Sequence, residues 1–359
     1  QKTAYEIKEC DWSSDVCSSD LSATWCGVSD HPFARLTPEQ VLNALEGLGL
    51  DVDGRLSALS SYENRVYLAH RHDEPPVVAK FYRPHRWSEA QIREEHRFAL
   101  QLAEQEVPMV APLVLQGDTL HRHAVDDRTD FWFAVASRRG GRQPDCDDPE
   151  VLTWLGRFLA RLHAVGEQEA FVHRPELNLQ SLGWDSHRDL MASGLIDPAQ
   201  LPAWDAAARR ALDAVAQATQ HSQPRHLRLH GDCHLGNVLW TPLDLPQGGP
   251  HFVDLDDARM GPAVQDLWML VSTDVRDRGW QWACLIEGYE QVRPFDRAEL
   301  RWVEPLRTLR IIHYSAWLAR RVDDPAFAQH FPWFATPAYW SEQTAALLEQ
   351  AEACQSAPP

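Results

Sequence analysis

Apolar residues recur along this chain first at helical and then at strand spacing, and the changes of period divide it into elements. Thr37 caps a helix that begins with Pro38 and has Gln40 three residues on. Val41, Leu42, Leu45 and Leu48 form its apolar face, and Gly47 and Gly49 mark its end. From Leu56 to Tyr82 the period becomes that of strands, with Arg65 to Ala69 and Val77 to Tyr82 joined by a His-Asp-Glu-Pro-Pro turn. Ser88 caps a second helix that runs to Gln105, on which Ile92, Ala99, Leu102 and Ala103 share one face. Strands resume up to Phe131 to Ala136, and Ser137 to Pro144 reads as a flexible loop. Leu152, Leu155, Leu159 and Leu162 are a core stripe on a helix from Val151 to Val165, and Pro202 to Thr219 is an alanine-rich helix. In the C-terminal part Trp302, Leu306, Leu309, His313 and Trp317 keep approximate helical phase, and there is no internal repeat.

Between Leu229 and Asp257 the pattern is interrupted by two polar knots, His230-Gly231-Asp232-Cys233-His234-Leu235-Gly236-Asn237 and Asp254-Leu255-Asp256-Asp257. Leu227 and Leu229, Val238 and Leu239, and Phe252 and Val253 flank them, so the knots sit at the ends of short strands, with a Pro-Gln-Gly-Gly-Pro hairpin between. That arrangement brings Asp232, Asn237 and Asp254 into one space. A carboxylate to orient and deprotonate a hydroxyl, with an amide and a second carboxylate for Mg²⁺, is the set that phosphoryl transfer needs. Asp232 is the candidate base, Asn237 and Asp254 the candidate metal ligands, and Asp256 a weaker candidate for a second metal. His230 reads as a loop-orienting residue and Cys233 as a small buried one. His-x-x-Cys-His is not a closed zinc spacing.

His230-Gly231-Asp232 with Asn237 resembles the catalytic loop of the aminoglycoside phosphotransferase/choline kinase superfamily, and Asp254-Leu255-Asp256 stands where protein kinases have Asp-Phe-Gly. The strings Ser-Tyr-Glu-Asn-Arg-Val-Tyr, Val-Ala-Lys-Phe-Tyr-Arg-Pro and Phe-Val-Asp-Leu-Asp-Asp-Ala-Arg-Met-Gly-Pro are similar to its bacterial stress response kinase branch, from about Thr37 onward. The resemblance implies an α+β, two-lobed protein-kinase-like fold: a small antiparallel-sheet N-lobe with one key helix, and a larger, mainly helical C-lobe. It implies ATP and Mg²⁺ as cofactors and Ser/Thr protein kinase activity, with Asp232 and Asp254 catalytic. It also makes Asp266 structural, bonding the backbone of the catalytic loop.

Lys80, inside the strand Val77-Val78-Ala79-Lys80-Phe81, matches the lysine that reaches the α- and β-phosphates, and it needs an acidic partner. Glu95 lies on the packed face of the second helix, where an unpaired carboxylate is costly, whereas Glu94 is rotated about 100° away. Glu95 is therefore the expected partner. Where a kinase carries a glycine-rich turn over the phosphates, this chain has Ser60-Ser61-Tyr62-Glu63-Asn64, and the resemblance places Ser61 near ATP. The lobe boundary is expected near Ser137, giving 22–137 as the nucleotide-covering part, 138–350 as the catalytic part and 351–359 as a tail.

Composition changes the picture in three ways. With 359 residues and 44% hydrophobic content, the chain can bury a sizeable core, and no apolar run approaches the roughly 18 residues of a membrane span. Gln1 to Leu21 looks like an in-frame translation of a sequencing-library adapter; it carries five acids against two lysines, so without it the formal charge goes from −18 to −15. Such acidity excludes general binding of nucleic acid or anionic membrane. The five cysteines outside that stretch, Cys26, Cys146, Cys233, Cys284 and Cys354, are odd in number and lack a Cys-x-x-Cys pair, which fits a reducing cytoplasm. A monomer is expected.

Four functions are compatible with these residues. A protein Ser/Thr kinase is preferred; a small-molecule kinase for an amino-alcohol, sugar or antibiotic hydroxyl shares the same core. A non-catalytic nucleotide-binding regulator is disfavoured by the complete set of Lys80, Asp232, Asn237 and Asp254, and a metal-dependent phosphohydrolase would not require Lys80. Only eleven residues separate Asp254 from Asp266, too few for a long peptide-binding activation segment, so control by phosphorylation there is not expected.

Overall fold

Thr37 accepts the Gln40 N–H at 3.3 Å and Pro38 opens helix α1 (Pro38–Gly47), whose Val41, Ala44 and Leu45 are buried in this computed structural model, which describes residues 32–356. The adapter-like stretch lies outside the described residues. Three strands follow, β1 (Val52–Leu59), β2 (Arg65–Arg71) and β3 (Val77–Phe81), then helix α2 (Glu89–Glu104), β4 (His121–Ala124) and β5 (Asp130–Ser137). The five strands form one antiparallel sheet in the order β1-β2-β3-β5-β4. The first strand begins at Val52, earlier than the alternation indicates, because a register irregularity between Val52 and Leu56 masks the period.

Strand parity decides which side each β3 residue faces. Val77, Ala79 and Phe81 are buried in a cluster with α1, Phe131, Phe133 and Val135. Lys80 pairs across the ladders with Val66 and Ala134, and Ala134 belongs to a second, smaller cluster with Tyr82 and Ile92 of α2. Lys80 is thus aimed at α2, away from the larger core.

The remaining elements are α3 (Pro149–Gly166), a π-turn over Gln180–Trp184 leading into α4 (Asp185–Ser193), α5 (Leu201–Thr219), β6 (Leu227–Leu229), β7 (Val238–Thr241), β8 (Gly249–Phe252), β9 (Arg259–Gly261), α6 (Gln265–Trp268), α7 (Val275–Glu290), α8 (Val303–Ala319), α9 (Phe327–His330) and α10 (Pro337–Ala353). Trp302 lies on a 3-10 turn, Arg297–Trp302, just before α8, while Leu306 and Leu309 are buried on it. Short ladders join β6 to β9 and β7 to β8. At Gly156 on α3 a Cβ would strike the Leu285 carbonyl of α7, so glycine permits that close helix crossing.

The chain divides into two units. One, Leu179–Gln220 with Glu304–Ser356, is helical. In it Trp204 of α5 packs edge-on to Trp340 of α10 with ring centroids 5.8 Å apart, and the Trp340 indole donates to the Leu195 carbonyl at 3.0 Å. The other, Pro32–Asn178 with His221–Val303, contains the five-stranded sheet, α3 and all the polar knots. The expected α+β kinase-like fold, with an antiparallel sheet in the N-terminal part and helices in the C-terminal part, is the fold this chain has.

Candidate active site

The loop after β6 is shaped by one buried carboxylate. Asp266 of α6, inaccessible to solvent, accepts the His230 and Gly231 backbone N–H groups at 2.8 Å each and the His163 Nε2–H from α3 at 3.0 Å. Burying an ionised carboxylate is costly unless such donors surround it. His163 Nδ1 then takes the Tyr289 hydroxyl at 2.9 Å, and burial keeps the imidazole below its usual pKa despite the aspartate. Gly231 has φ of 86°, and a Cβ there would collide with the Asp257 carbonyl, so this loop position requires glycine. His230 donates from Nε2 to the Val253 carbonyl at 2.9 Å, tying the catalytic loop to the residue that precedes Asp254.

Two further hydrogen bonds order the knots, one between them and one within the first. Val253 N–H donates to the Asn237 carbonyl at 3.0 Å, extending the β7-β8 ladder, and Asn237 Nδ2 donates to the Asp232 carbonyl at 2.9 Å. With its amide nitrogen committed, Asn237 presents Oδ1. Asp254 follows in a left-handed conformation, φ 64° and ψ 69°, which is uncommon for a residue other than glycine. Its carboxylate, about half exposed, accepts at Oδ1 from the Lys80 ammonium at 2.9 Å.

Lys80 joins the sheet to this loop. Its ammonium lies 2.9 Å from Asp254, 3.1 Å from Asp256 Oδ1 and 3.7 Å from Glu95 Oε1. Burial opposes its charge, but Asp254, Asp256 and Glu95 outweigh it and hold the ammonium well above the usual lysine range. Asp256 is also buried, yet Arg86 and then Lys80 keep its carboxyl down at about 2. Its Oδ1 makes no directed hydrogen bond, so the approach to Lys80 is a charge contact. For Glu95 burial prevails over Lys80 and Arg174, and its carboxyl is raised.

Ser61 lies half-buried in the turn between β1 and β2 and, among the described residues, makes no hydrogen bond to Lys80 or to the aspartates. The turn is nevertheless anchored: Asn64 Oδ1 accepts the Arg83 N–H at 3.1 Å, and Glu63 lies 3.5 Å from Arg86 Nε. Arg86 also bonds Asp256 and both Asp257 oxygens, the latter at 3.0 Å.

Glu94 requires a correction. Helix phase turns it away from the packed face, but it is as buried as Glu95, because it accepts the backbone N–H groups of Val172, His173 and Arg174 at 2.7, 2.9 and 2.9 Å. Arg86, Arg174 and Glu94 are the charged residues near the site that sequence reasoning missed. The only signal was the density of arginines at 83 and 86 in so acidic a chain. Cys233 is fully buried and burial pushes its thiol well up, in keeping with the small buried residue expected from the sequence.

The donor set suits a hard divalent cation. Asn237 Oδ1 and the second Asp254 oxygen are hard oxygen donors, brought near each other by the Val253 N–H bond to the Asn237 carbonyl, and hard cations take such donors together with waters and phosphate oxygens. Among the described residues no group of three His, Cys, Asp or Glu side chains is placed to enclose a metal by itself. Protein donors alone would not complete the coordination here.

One buried acid near Asp266 sets a pH dependence. Glu299 accepts the Val264 N–H at 2.9 Å, and burial pushes its carboxyl up to about 7. A folded-state pKa above the unfolded value of about 4.3 favours the neutral form, so the stability it contributes is complete below that unfolded value and lost as the pH rises through the folded one. Glu299→Gln keeps an acceptor for Val264 and cannot ionise. It is expected to remove a fall in Tm between about pH 4 and 7, corresponding to roughly 2–3 kcal/mol. A wild-type Tm that is level over this range would rule the assignment out.

A strand lysine paired with a helix glutamate, facing an Asp-to-Asn loop and a second aspartate, defines a phosphotransferase of the kinase type. Residues 55–303 match the model of the phosphotransferase enzyme family, and the chain belongs to that family. Stress response kinase A of Escherichia coli (strain K12) is 44% identical over 326 residues, covering 91% of this chain and 96% of that protein. The Serine/threonine protein kinase RdoA of Salmonella typhimurium (strain LT2) is 43% identical over the same shares. Among solved structures, amicoumacin kinase hAmiN in complex with AMP-PNP and Ca²⁺ superposes with a TM-score of 0.69 at 17% identity, covering 89% of this chain and 94% of that one. The resemblance to the stress response kinases read from the sequence holds across nearly the whole chain.

Proposed function

We propose that the chain is a Mg·ATP-dependent protein Ser/Thr kinase. The observation that carries the reading is the convergence on Lys80 of Glu95 from α2 and Asp254 from the loop after β8, beside an Asn237 amide that is bonded to Asp232. Asp232 orients the acceptor hydroxyl and takes its proton; in a largely dissociative transfer the orientation is the greater part of its work. Lys80, held by Glu95, donates to the α- and β-phosphates, and Ser61 with the neighbouring amides covers the phosphates. Asn237 and Asp254 are the residues that would hold Mg²⁺, which would supply charge neutralisation on the phosphate oxygens. The acceptor class is supported by the names of the relatives at 43–44% identity.

The division into a nucleotide-covering part, 22–137, and a catalytic part, 138–350, belongs to the same proposal, as does work in the cytoplasm as a monomer. The four described cysteines are free, as a reducing compartment requires, and no helix among the described residues is long and apolar enough to cross a membrane. The eleven residues between Asp254 and Asp266 favour a second reading, a kinase for a small hydroxyl compound. Residues 22–359, incubated with labelled ATP, a protein extract and a panel of small alcohols, are expected to label protein. Label on a small alcohol alone would establish the second reading. Free phosphate without a labelled acceptor would defeat both.

A further inference from the structure

Arg174 lies in the irregular stretch after α3, and its side chain is completely shielded from solvent. Its guanidinium touches two parts of the site at once. On α2 it meets the Gln91 carbonyl at 3.1 Å and Glu95 Oε2 at 3.3 Å; on the other side it donates to the Ala258 carbonyl at 2.6 Å and to the Asp256 carbonyl. It is stacked on Trp87, with its central carbon 4.5 Å from the ring centroid. Glu94, next to Glu95, is held by the backbone N–H groups of residues 172–174. Consecutive residues of α2 are therefore fastened to one short segment, and the same guanidinium fastens that segment to the loop that follows Asp254.

A buried guanidinium is tolerable only when its donors are met, and here acceptors from two elements and an aromatic face meet them. The planar fork of arginine can span these positions, whereas a lysine offers a single point charge. In kinases that are switched by a phosphorylated segment, the lysine–glutamate pair forms only when that segment moves its helix into place. Here the loop between Asp254 and Asp266 is eleven residues long, and the helix is already fastened to it.

We infer that Arg174 is a positioning residue that holds Glu95, and through it Lys80, in register with Asp254 before nucleotide arrives, so that the site is assembled without an activation step. The inference rests on the kinase reading above. It predicts that amide exchange of α2 in the wild type changes less than about twofold when Mg²⁺ and a non-hydrolysable ATP analogue are added. Protection that rises about tenfold or more on adding them would overturn it.

The variants Arg174→Lys and Arg174→Met, alone and combined with Glu95→Gln, supply the second arm. Each single change is expected to lower kcat about 30-fold with the ATP KM moved less than about threefold, and each double variant to be no worse than its singles, because the residues act as one unit. A purely structural role would lower Tm, leave the kcat of the folded fraction unchanged, and combine independently with Glu95→Gln. A folded Arg174→Lys with wild-type kcat would overturn the inference. If Arg174→Met does not fold, Arg174→Lys and the wild-type exchange measurement still decide. Failure of the kinase reading itself would be distinguishable, since the wild type would then label no acceptor at all.

Discussion

Asp232→Ala is expected to lower kcat about 1,000-fold while the affinity for Mg·ATP stays within about twofold of wild type, the range a positioned proton acceptor supplies. The separation follows from what the residue touches. The Asp232 backbone carbonyl, which accepts from Asn237 Nδ2, survives the substitution. So do the two N–H bonds from His230 and Gly231 to Asp266 that shape the loop. Only the carboxylate is lost, whose side chain is about a quarter exposed and lies 3.5 Å from His234 Nε2. Steady-state rates with equilibrium nucleotide binding check this. An equal loss of kcat and nucleotide affinity would mean that Asp232 holds the nucleotide rather than the acceptor.

The site was more legible in the sequence than the ties that hold it. Lys80 was legible from its match to the strand lysine of kinases, and the observed burial follows the strand parity that puts residues 77, 79 and 81 on one face and 80 on the other. Glu95 was legible from helical phase, and the structure puts it 3.7 Å from Lys80. The same phase misplaced Glu94, because its partners are backbone amides of residues 172–174, which no periodicity marks. Arg174 was invisible for a related reason. Its acceptors are mostly carbonyls, and carbonyls carry no sequence signal. His163 was read only as part of a core helix, although its ring is the third donor to Asp266. The helical unit was equally hidden, since α5 and α10 lie far apart in the chain and each alone reads as an ordinary amphipathic helix.

The account stands on Asp254, the residue through which the lysine of the sheet and the candidate metal ligands of the loop are joined. In the structure its carboxylate faces Lys80 at 2.9 Å, where it competes with phosphate for the ammonium, so removing it has opposite effects with and without Mg²⁺. Without Mg²⁺, Asp254→Ala removes the nearest of the three carboxylates around Lys80 and a negative charge from the approach of ATP, and affinity should equal or exceed that of wild type. With Mg²⁺ present, a charged ligand to the ion is missing, and affinity should fall at least about 100-fold. Calorimetric titration of ATP into wild type and Asp254→Ala, each with and without Mg²⁺, reads both effects in one set of four curves. The account predicts that Mg²⁺ strengthens binding to the wild type and does little for the variant; equal strengthening in both would contradict it.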